Sequence, residues 1–256
     1  MTNQIETKES FKLVMLASVF TLILWFIPFA EVITYPVRLF VTFIHEAGHA
    51  LATVLSLGSV HQIELYTDGS GVTETMGGMR LLISSAGYLS TIFFGAGILL
   101  LLRKQKYAKP LALITAALLV MVTVLWGGNI LAWAVGMILG GALLGLAFKG
   151  KPGVAHFVMS FLGVQSILNA LYDLRTLLYL SAFTKESTDA ANMSIATGGF
   201  IPPIFWALGW SLISVVMLAL TVMVYYRSIN HRAALDPVKI PQLLPDDFNK
   251  VFDKKL

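Results

Sequence analysis

The chain has 256 residues, of which 57% are hydrophobic and only 12% are charged, and its formal net charge is +4. Soluble domains average about 25% charged residues, so this composition excludes an ordinary soluble protein and indicates an integral membrane protein in a lipid bilayer. The basic residues cluster at the ends of apolar segments, which argues against nucleic-acid binding. Cysteine is absent, so any metal ion must be held by His, Asp or Glu.

Seven apolar segments reach or approach the roughly 20 residues that a helix needs to cross the hydrocarbon core. In chain order they are 12–34, 37–57, 81–102, 110–126, 129–148, 154–181 and 204–226. The first segment has no small-x-small cleavage site, so we interpret it as a membrane span and not as a signal peptide. The tight turn at 126–129 makes the fourth and fifth segments a helical hairpin. We therefore predict an all-α polytopic membrane protein with about seven transmembrane helices, one membrane domain over 1–226 and a polar tail over 227–256.

Two polar stretches interrupt the apolar segments. Residues 59–75 alternate polar and apolar side chains and contain the turn sequence Thr-Asp-Gly-Ser-Gly, which predicts a short β-hairpin. Its edge along His61–Tyr66 either pairs with an extended peptide as an added strand or belongs to a plain connection. Residues 182–203 end in glycines and prolines and are predicted to form a polar loop.

The distribution of Lys and Arg predicts the orientation of the chain. One set of alternate loops holds Arg38, Arg103, Lys104, Lys106, Lys109, Lys149, Lys151, Arg227 and Arg232. The opposite set holds only Lys8, Lys12, Arg80 and Lys185. Because cytoplasmic loops carry the excess of basic residues, we expect a cytoplasmic C-terminus and, with seven spans, an external N-terminus.

The second segment contains His45-Glu46-Ala47-Gly48-His49, which fits the pattern H-E-x-x-H. Residues four apart on a helix share a face, so both imidazoles can bind one Zn²⁺ ion. Glu46 is placed to act on zinc-bound water as a general base. Ionisable groups are costly inside a membrane span and mark functional sites, so the sequence predicts a metal centre.

A catalytic zinc ion usually takes three protein ligands, and the third must come from elsewhere in the chain. Asp173 lies in line with Gln165 and Asn169, at intervals of four residues along the sixth segment. This polar stripe favours Asp173 as the third ligand, with Asp189 as the alternative. Gln165 and Asn169 are predicted to bind substrate, by donating hydrogen bonds to a carbonyl or an oxyanion, or else to join helices.

Six sequence blocks resemble, in order, a compact bacterial branch of the site-2 protease family of intramembrane zinc metalloproteases. They are FIHEAGHALA, YTDGSG, SSAGYLS, LGVQSILNALYDLRTLLYLSA, STDAA and PPIFWALGW, within about residues 40 to 215. The resemblance implies zinc held by His45 and His49, Glu46 as the catalytic base, and Asp173 at the position of the family's third ligand. The family's glycine after this Asp is replaced by Leu174, Gln165 stands where the family has asparagine, and there is no PDZ domain.

We therefore expect a zinc metalloprotease that hydrolyses membrane proteins or transmembrane peptides in the bacterial cytoplasmic membrane. A non-proteolytic zinc hydrolase acting on a lipid or small amphiphile would need the same metal centre and is the alternative. A transporter has no need of the H-E-x-x-H spacing, and an inactive scaffold is not expected to retain Glu46.

Overall fold

The computed structural model describes residues 2–27 and 30–233, and most of these residues are helical. The elements in chain order are α1 (Thr2–Phe26), α2 (Ala30–Leu55), β1 (Ser59–Leu65), β2 (Gly71–Met76), α3 (Arg80–Leu101), a 3-10 turn (Gln105–Tyr107), α4 (Ala108–Trp126), α5 (Ile130–Lys149), α6 (Pro152–Phe183), α7 (Asp189–Ala196) and α8 (Pro203–Ala233).

Five of the described helices are long and apolar enough to cross a membrane, namely α3, α4 with the preceding 3-10 turn, α5, α6 and α8. The bundle is therefore that of an integral membrane protein. The two remaining predicted spans fall on α1 and α2, which are 25 and 26 residues long but are not among these five. The predicted count of seven transmembrane helices is thus not confirmed.

The boundaries of the first two helices differ from the prediction. The predicted break lay between residues 34 and 37, but α2 begins at Ala30 and continues through Pro36. Membrane helices tolerate an internal proline because neighbouring groups satisfy the freed backbone. At the other end of the chain, α8 passes the predicted domain boundary at 226 and reaches Ala233. The remainder of the predicted tail lies outside the described residues.

The predicted β-hairpin is confirmed, and it folds back along α2. β1 and β2 pair antiparallel, with Ile63 opposite Thr73 and Leu65 opposite Gly71. Two hydrogen bonds fasten the turn to α2: the Tyr35 hydroxyl donates to the Thr67 carbonyl over 2.9 Å, and the Thr42 hydroxyl donates to the Gly69 carbonyl over 2.8 Å. The hairpin therefore lies beside the helix that carries the histidines.

The turn of this hairpin is closed by its own polar groups. The hydroxyl and the backbone N–H of Ser70 both donate to Oδ1 of Asp68, over 2.7 and 2.9 Å. These hydrogen bonds stabilise the carboxylate and lower the pKa of Asp68 below its usual value. Gly69 has a φ of 89°, a left-handed conformation that glycine adopts without strain.

The turn between α4 and α5 covers the outer edge of β1. The N–H of Gly128 donates to the Ile63 carbonyl over 2.8 Å, and Nδ2 of Asn129 donates to the Leu65 carbonyl over 2.7 Å. Oδ1 of Asn129 also accepts from the N–H of Ala132 and so caps the start of α5. The predicted helical hairpin is confirmed, and its tip occupies the edge of β1 that does not pair with β2.

α3 and α6 form the centre of the bundle. α3 packs against α2 on one side and against α6, α7 and α8 on others, while α6 also contacts α1 and α4. Glycines permit this close approach, since a Cβ on Gly95 would meet the Gly163 carbonyl oxygen at 2.7 Å. The buried His156 of α6 contacts the Leu102 carbonyl through Nε2 at 2.7 Å, which ties the end of α3 to the start of α6.

The stretch predicted as a polar loop contains a helix, α7. The Thr188 hydroxyl accepts from the N–H of Ala191 and caps the start of this helix. Ala190 and Met193 are buried in a cluster that includes Ala207 and Trp210 of α8. The prediction of an irregular loop was therefore wrong for residues 189–196, because an N-cap and two apolar side chains suffice to dock a short helix.

Candidate metal centre

Helix α2 places His45 and His49 side by side. Their Nε2 atoms lie 3.0 Å apart, as expected for residues four positions apart on one face of a helix. The side chain of His49 is 9% exposed and that of His45 is 17% exposed. Two ring nitrogens this close, away from bulk water, call for a cation or a proton between them.

The first residue of α7 completes a group of three ligand atoms. Oδ2 of Asp189 lies 3.4 Å from Nε2 of His45 and 3.3 Å from Nε2 of His49. Among the described residues, these three form the group of His, Asp and Glu side chains that could hold a metal ion. α7 is brought to this position by its packing against α3 and α8.

The spacing of the three atoms fits tetrahedral zinc. Nitrogen and carboxylate oxygen ligands bind Zn²⁺ at about 2.0–2.2 Å, so two ligands of a tetrahedral ion lie about 3.3–3.6 Å apart. The observed separations of 3.0, 3.3 and 3.4 Å form a triangle close to that size. Two imidazoles and one carboxylate also leave the fourth position open for water, as catalytic sites require.

Gly87 of α3 leaves room for the ion. A Cβ built on this residue would overlap the Nε2 atoms of both His45 and His49. The space that a side chain would fill therefore lies against both imidazole ligands, where an ion would be bound. The residues Ser84 to Gly87 are small and permit close packing of α3 on the motif helix, and α2 and α3 do pack together.

Neighbouring residues orient the two imidazoles. Nδ1 of His49 lies 2.7 Å from the Ile83 carbonyl oxygen, so the ring donates its Nδ1–H there and leaves the Nε2 lone pair for a metal. The ring of His45 meets the ring of Tyr88 edge-on, with centroids 4.7 Å apart. Tyr88 in turn stacks on Trp210 of α8. Helices α3 and α8 thus hold both rings in place.

Glu46 is held by the hairpin. Glu46 as a whole is 4% exposed, and its Oε2 accepts a hydrogen bond of 2.6 Å from the hydroxyl of Thr73 on β2. Oε1 accepts no hydrogen bond from the described residues. One oxygen of the carboxylate is therefore anchored, and the other is free to accept a proton.

The three ligand residues and Glu46 line one wall of a cavity of about 730 Å³. The other walls come from β2, from the first turns of α3 and from the start of α7. Most of the lining is polar, with Thr73, Thr75, Arg80, Ser84, Thr188 and Asn192 among the side chains. Such a cavity can admit water to a site within a helical bundle, which hydrolysis needs.

The structure does not bring the polar stripe of α6 into this group. Asp173, the predicted third ligand, is not one of the three grouped residues, although it lies near enough to His45 for their charges to interact. Asn169 donates to the Gln165 carbonyl over 2.9 Å, within its own helix. Neither Gln165 nor Asn169 lines the cavity, so their binding of substrate stays a prediction. The geometry favours Asp189, the alternative ligand.

Comparison with known proteins places the chain in a family. A family profile described as Peptidase M50B-like matches residues 14–221, which is most of the chain. Searches of curated proteins and of solved structures found no match. The matched region includes the H-E-x-x-H helix, the hairpin, the polar stripe and α7. The chain therefore belongs to the Peptidase M50B-like family, which consists of site-2-protease-type membrane metallopeptidases.

Proposed function

We propose that this protein is an intramembrane zinc metalloprotease that hydrolyses peptide bonds of membrane-embedded substrates. His45, His49 and Asp189 hold the zinc ion, and Glu46 is the general base. The triangle of ligand atoms, 3.0 to 3.4 Å on each side and adjacent to a buried glutamate, is the observation that carries this proposal. The family to which the chain belongs supports it.

The chemistry follows from the ligands and Glu46. A zinc ion held by His45, His49 and Asp189 would supply a water molecule that is nucleophilic near neutral pH. Glu46 takes a proton through Oε1, because Oε2 is already bonded to Thr73, and can then pass the proton to the leaving amine. The imidazole of His49 carries its proton on Nδ1, which donates a hydrogen bond to the Ile83 carbonyl, so its Nε2 lone pair would be available to the zinc ion.

We propose that an extended substrate binds at the edge of β2 that faces away from β1, which pairs with no other strand among the described residues. The prediction placed this role on the edge along His61–Tyr66, but that edge is bonded to Gly128 and Asn129. Since Ile63 and Leu65 turn their backbone groups away from β2, their partners Thr73 and Gly71 turn theirs away from β1. β2 lines the cavity, so a substrate strand added there would lie next to Glu46.

This strand edge favours a peptide over a lipid. A helical substrate offers no free carbonyl until it unwinds, and pairing with an exposed strand stabilises the unwound form. A lipid or small amphiphile has no backbone amides for such pairing. Hydrolysis of a lipid is therefore the alternative activity, which a cleavage assay distinguishes from proteolysis.

Metal analysis and a cleavage assay test the proposal. The purified protein is expected to contain about one zinc ion per chain and to cleave transmembrane peptides presented in detergent or in lipid vesicles. Glu46→Gln is expected to retain the zinc and to lose about 10²- to 10⁴-fold in rate. Glu64→Gln makes the same chemical change on β1, outside the cavity, and serves as the control.

Two outcomes would count against proteolysis. A Glu46→Gln variant as active as the wild type would remove Glu46 from the reaction. A protein with stoichiometric zinc that cleaves no membrane peptide, but hydrolyses a lipid ester or amide in a Glu46-dependent manner, would replace the protease with the lipid hydrolase.

A separate experiment distinguishes the two possible third ligands. Asp189→Asn is expected to weaken zinc binding at least about 100-fold, because a direct ligand contributes no less than an outer-shell partner. Asp173→Asn, which makes the same change on α6, is expected to retain zinc. Zinc content after dialysis against a buffered chelator measures both. Loss of zinc from the Asp173 variant alone would restore the assignment made from the sequence.

A further inference from the structure

The hydroxyl of Thr73 makes a short hydrogen bond to the carboxylate of Glu46. Its Oγ1 lies 2.6 Å from Oε2 of the carboxylate and 3.1 Å from the Glu46 carbonyl oxygen. A separation of 2.5 to 2.7 Å is typical of a hydroxyl that donates to a charged carboxylate. Among the described residues, Thr73 is the one hydrogen-bond donor to this buried side chain.

This contact is not needed to fasten the hairpin. The turn is already bonded to α2 through Tyr35 and Thr42, and the outer edge of β1 is bonded to Asn129. Ile63 and Leu65 are 0% and 1% exposed, so the hairpin is also held by its apolar side chains. The Thr73 hydroxyl is therefore available for a role in the site itself.

We infer that Thr73 is a positioning residue that holds the Glu46 carboxylate for catalysis. This inference rests on the proposed function, since it assigns to Thr73 the orientation of the proposed base. Glutamate has three rotatable side-chain bonds, and a buried carboxylate that loses its donor moves toward another partner. With Oε2 bonded to Thr73, the carboxylate of Glu46, which lines the cavity, keeps one orientation.

The position of Thr73 also links the base to the substrate. Thr73 lies in the middle of β2, and its backbone groups face the edge that we propose for the substrate strand. A peptide bonded to that backbone would be held in register with the side chain that orients Glu46. The residue that receives the substrate is then the residue that aligns the base.

Substitutions of the hydroxyl test this inference. Thr73→Val keeps the shape and the β-branched side chain but removes the donor, while Thr73→Ser keeps the donor. On a transmembrane peptide cleaved by the wild type, kcat of the Val variant is expected to fall about 10- to 100-fold, as for other outer-shell partners, with KM within about twofold. The Ser variant is expected to retain kcat within about threefold.

A matched control separates this effect from the loss of any buried hydroxyl. Thr123→Val removes a buried hydroxyl that donates to the Leu119 carbonyl within α4, away from the cavity, and is expected to leave kcat unchanged. Zinc content is expected to equal that of the wild type in all three variants. A Val variant with wild-type kcat would overturn the inference, and so would a Ser variant as impaired as the Val variant.

A second measurement does not depend on proteolysis. In experimental structures of the zinc-loaded proteins, Glu46 is expected to adopt one conformation, bonded to residue 73, in the wild type and the Ser variant. In the Val variant the carboxylate is expected to leave that position. An unchanged Glu46 in the Val variant would overturn the inference, whereas a wild type that cleaves no peptide would overturn the proposed protease and leave this result standing.

Discussion

At the scale of single residues, Gly87 leaves space in the candidate metal centre because it has no side chain. The imidazoles of His45 and His49 converge on the space above its Cα, and a Cβ there would overlap both Nε2 atoms. Ordinary helix packing also favours small residues, so the small residues around Gly87 by themselves indicate only that two helices approach closely. The role in the metal centre depends on which side chains α2 turns toward that glycine.

Gly87→Ala is expected to weaken metal binding strongly, because its methyl group would take up space against both imidazole ligands. Zinc content measured by mass spectrometry is expected to fall at least about tenfold, with helical content unchanged by circular dichroism. Gly97→Ala is the matched control: it lies on the same helix, and a Cβ there meets nothing within 4 Å. A zinc-replete Gly87→Ala protein would show that the ion lies elsewhere.

The residues of the candidate site differ in how far they could be predicted. His45, Glu46 and His49 lie within five consecutive residues, and helical periodicity alone puts the imidazoles together. Asp189 lies 140 residues after His49 in the sequence, in the stretch that was predicted to form a polar loop. The stripe containing Asp173 was the stronger local pattern, yet periodicity along α6 carries no information on which neighbour faces it.

At the scale of elements, the hairpin is defined by what its two edges contact. The turn between α4 and α5 is hydrogen-bonded to the outer edge of β1, and residues of β2 line the cavity. An alternating pattern predicts a strand and its buried face, but it cannot say which edge another segment covers. The predicted edge along His61–Tyr66 is already occupied, because Asn129 is hydrogen-bonded to Leu65.

A proline on β2 tests whether that edge receives the substrate. Thr75 lies two residues after Thr73, so its N–H faces the same edge, where proline is tolerated. Thr75→Pro is expected to raise KM about three- to tenfold, which corresponds to one lost backbone hydrogen bond. Thr75→Val keeps the N–H and measures the contribution of the side chain. Equal KM values for the two variants would exclude pairing at this position.

At the scale of the whole molecule, the loops and helix ends lie at two opposite ends of the bundle. His156 ties the start of α6 to the end of α3, so the basic residues around 103–109 and 149–151 lie at one end of the bundle. Ser187 lines the cavity together with Gly77 and Arg80 at the start of α3, which is the other end. The grouping made from charge alone therefore agrees with the packing of these helices.

Reporter fusions test the orientation of the chain. A reporter at residue 105 is expected to be cytoplasmic, because the surrounding loop holds the largest cluster of basic residues. A reporter at residue 187 is expected on the opposite side of the membrane. If both reporters lay on the same side of the membrane, residues 105 and 187 could not lie at opposite ends of the bundle. An external reporter at residue 105 would reverse the predicted orientation.

The sequence by itself determined the class of protein, the bounds of most helices, the hairpin and the motif on α2. These features depend on composition and on contacts within a few residues, which periodicity and turn chemistry report directly. Only the tertiary structure decided that Asp189 meets the histidines, that Gly87 leaves the space beside them and that Thr73 holds Glu46. Each of these contacts joins segments far apart in the chain, and their relative placement depends on how the helices pack.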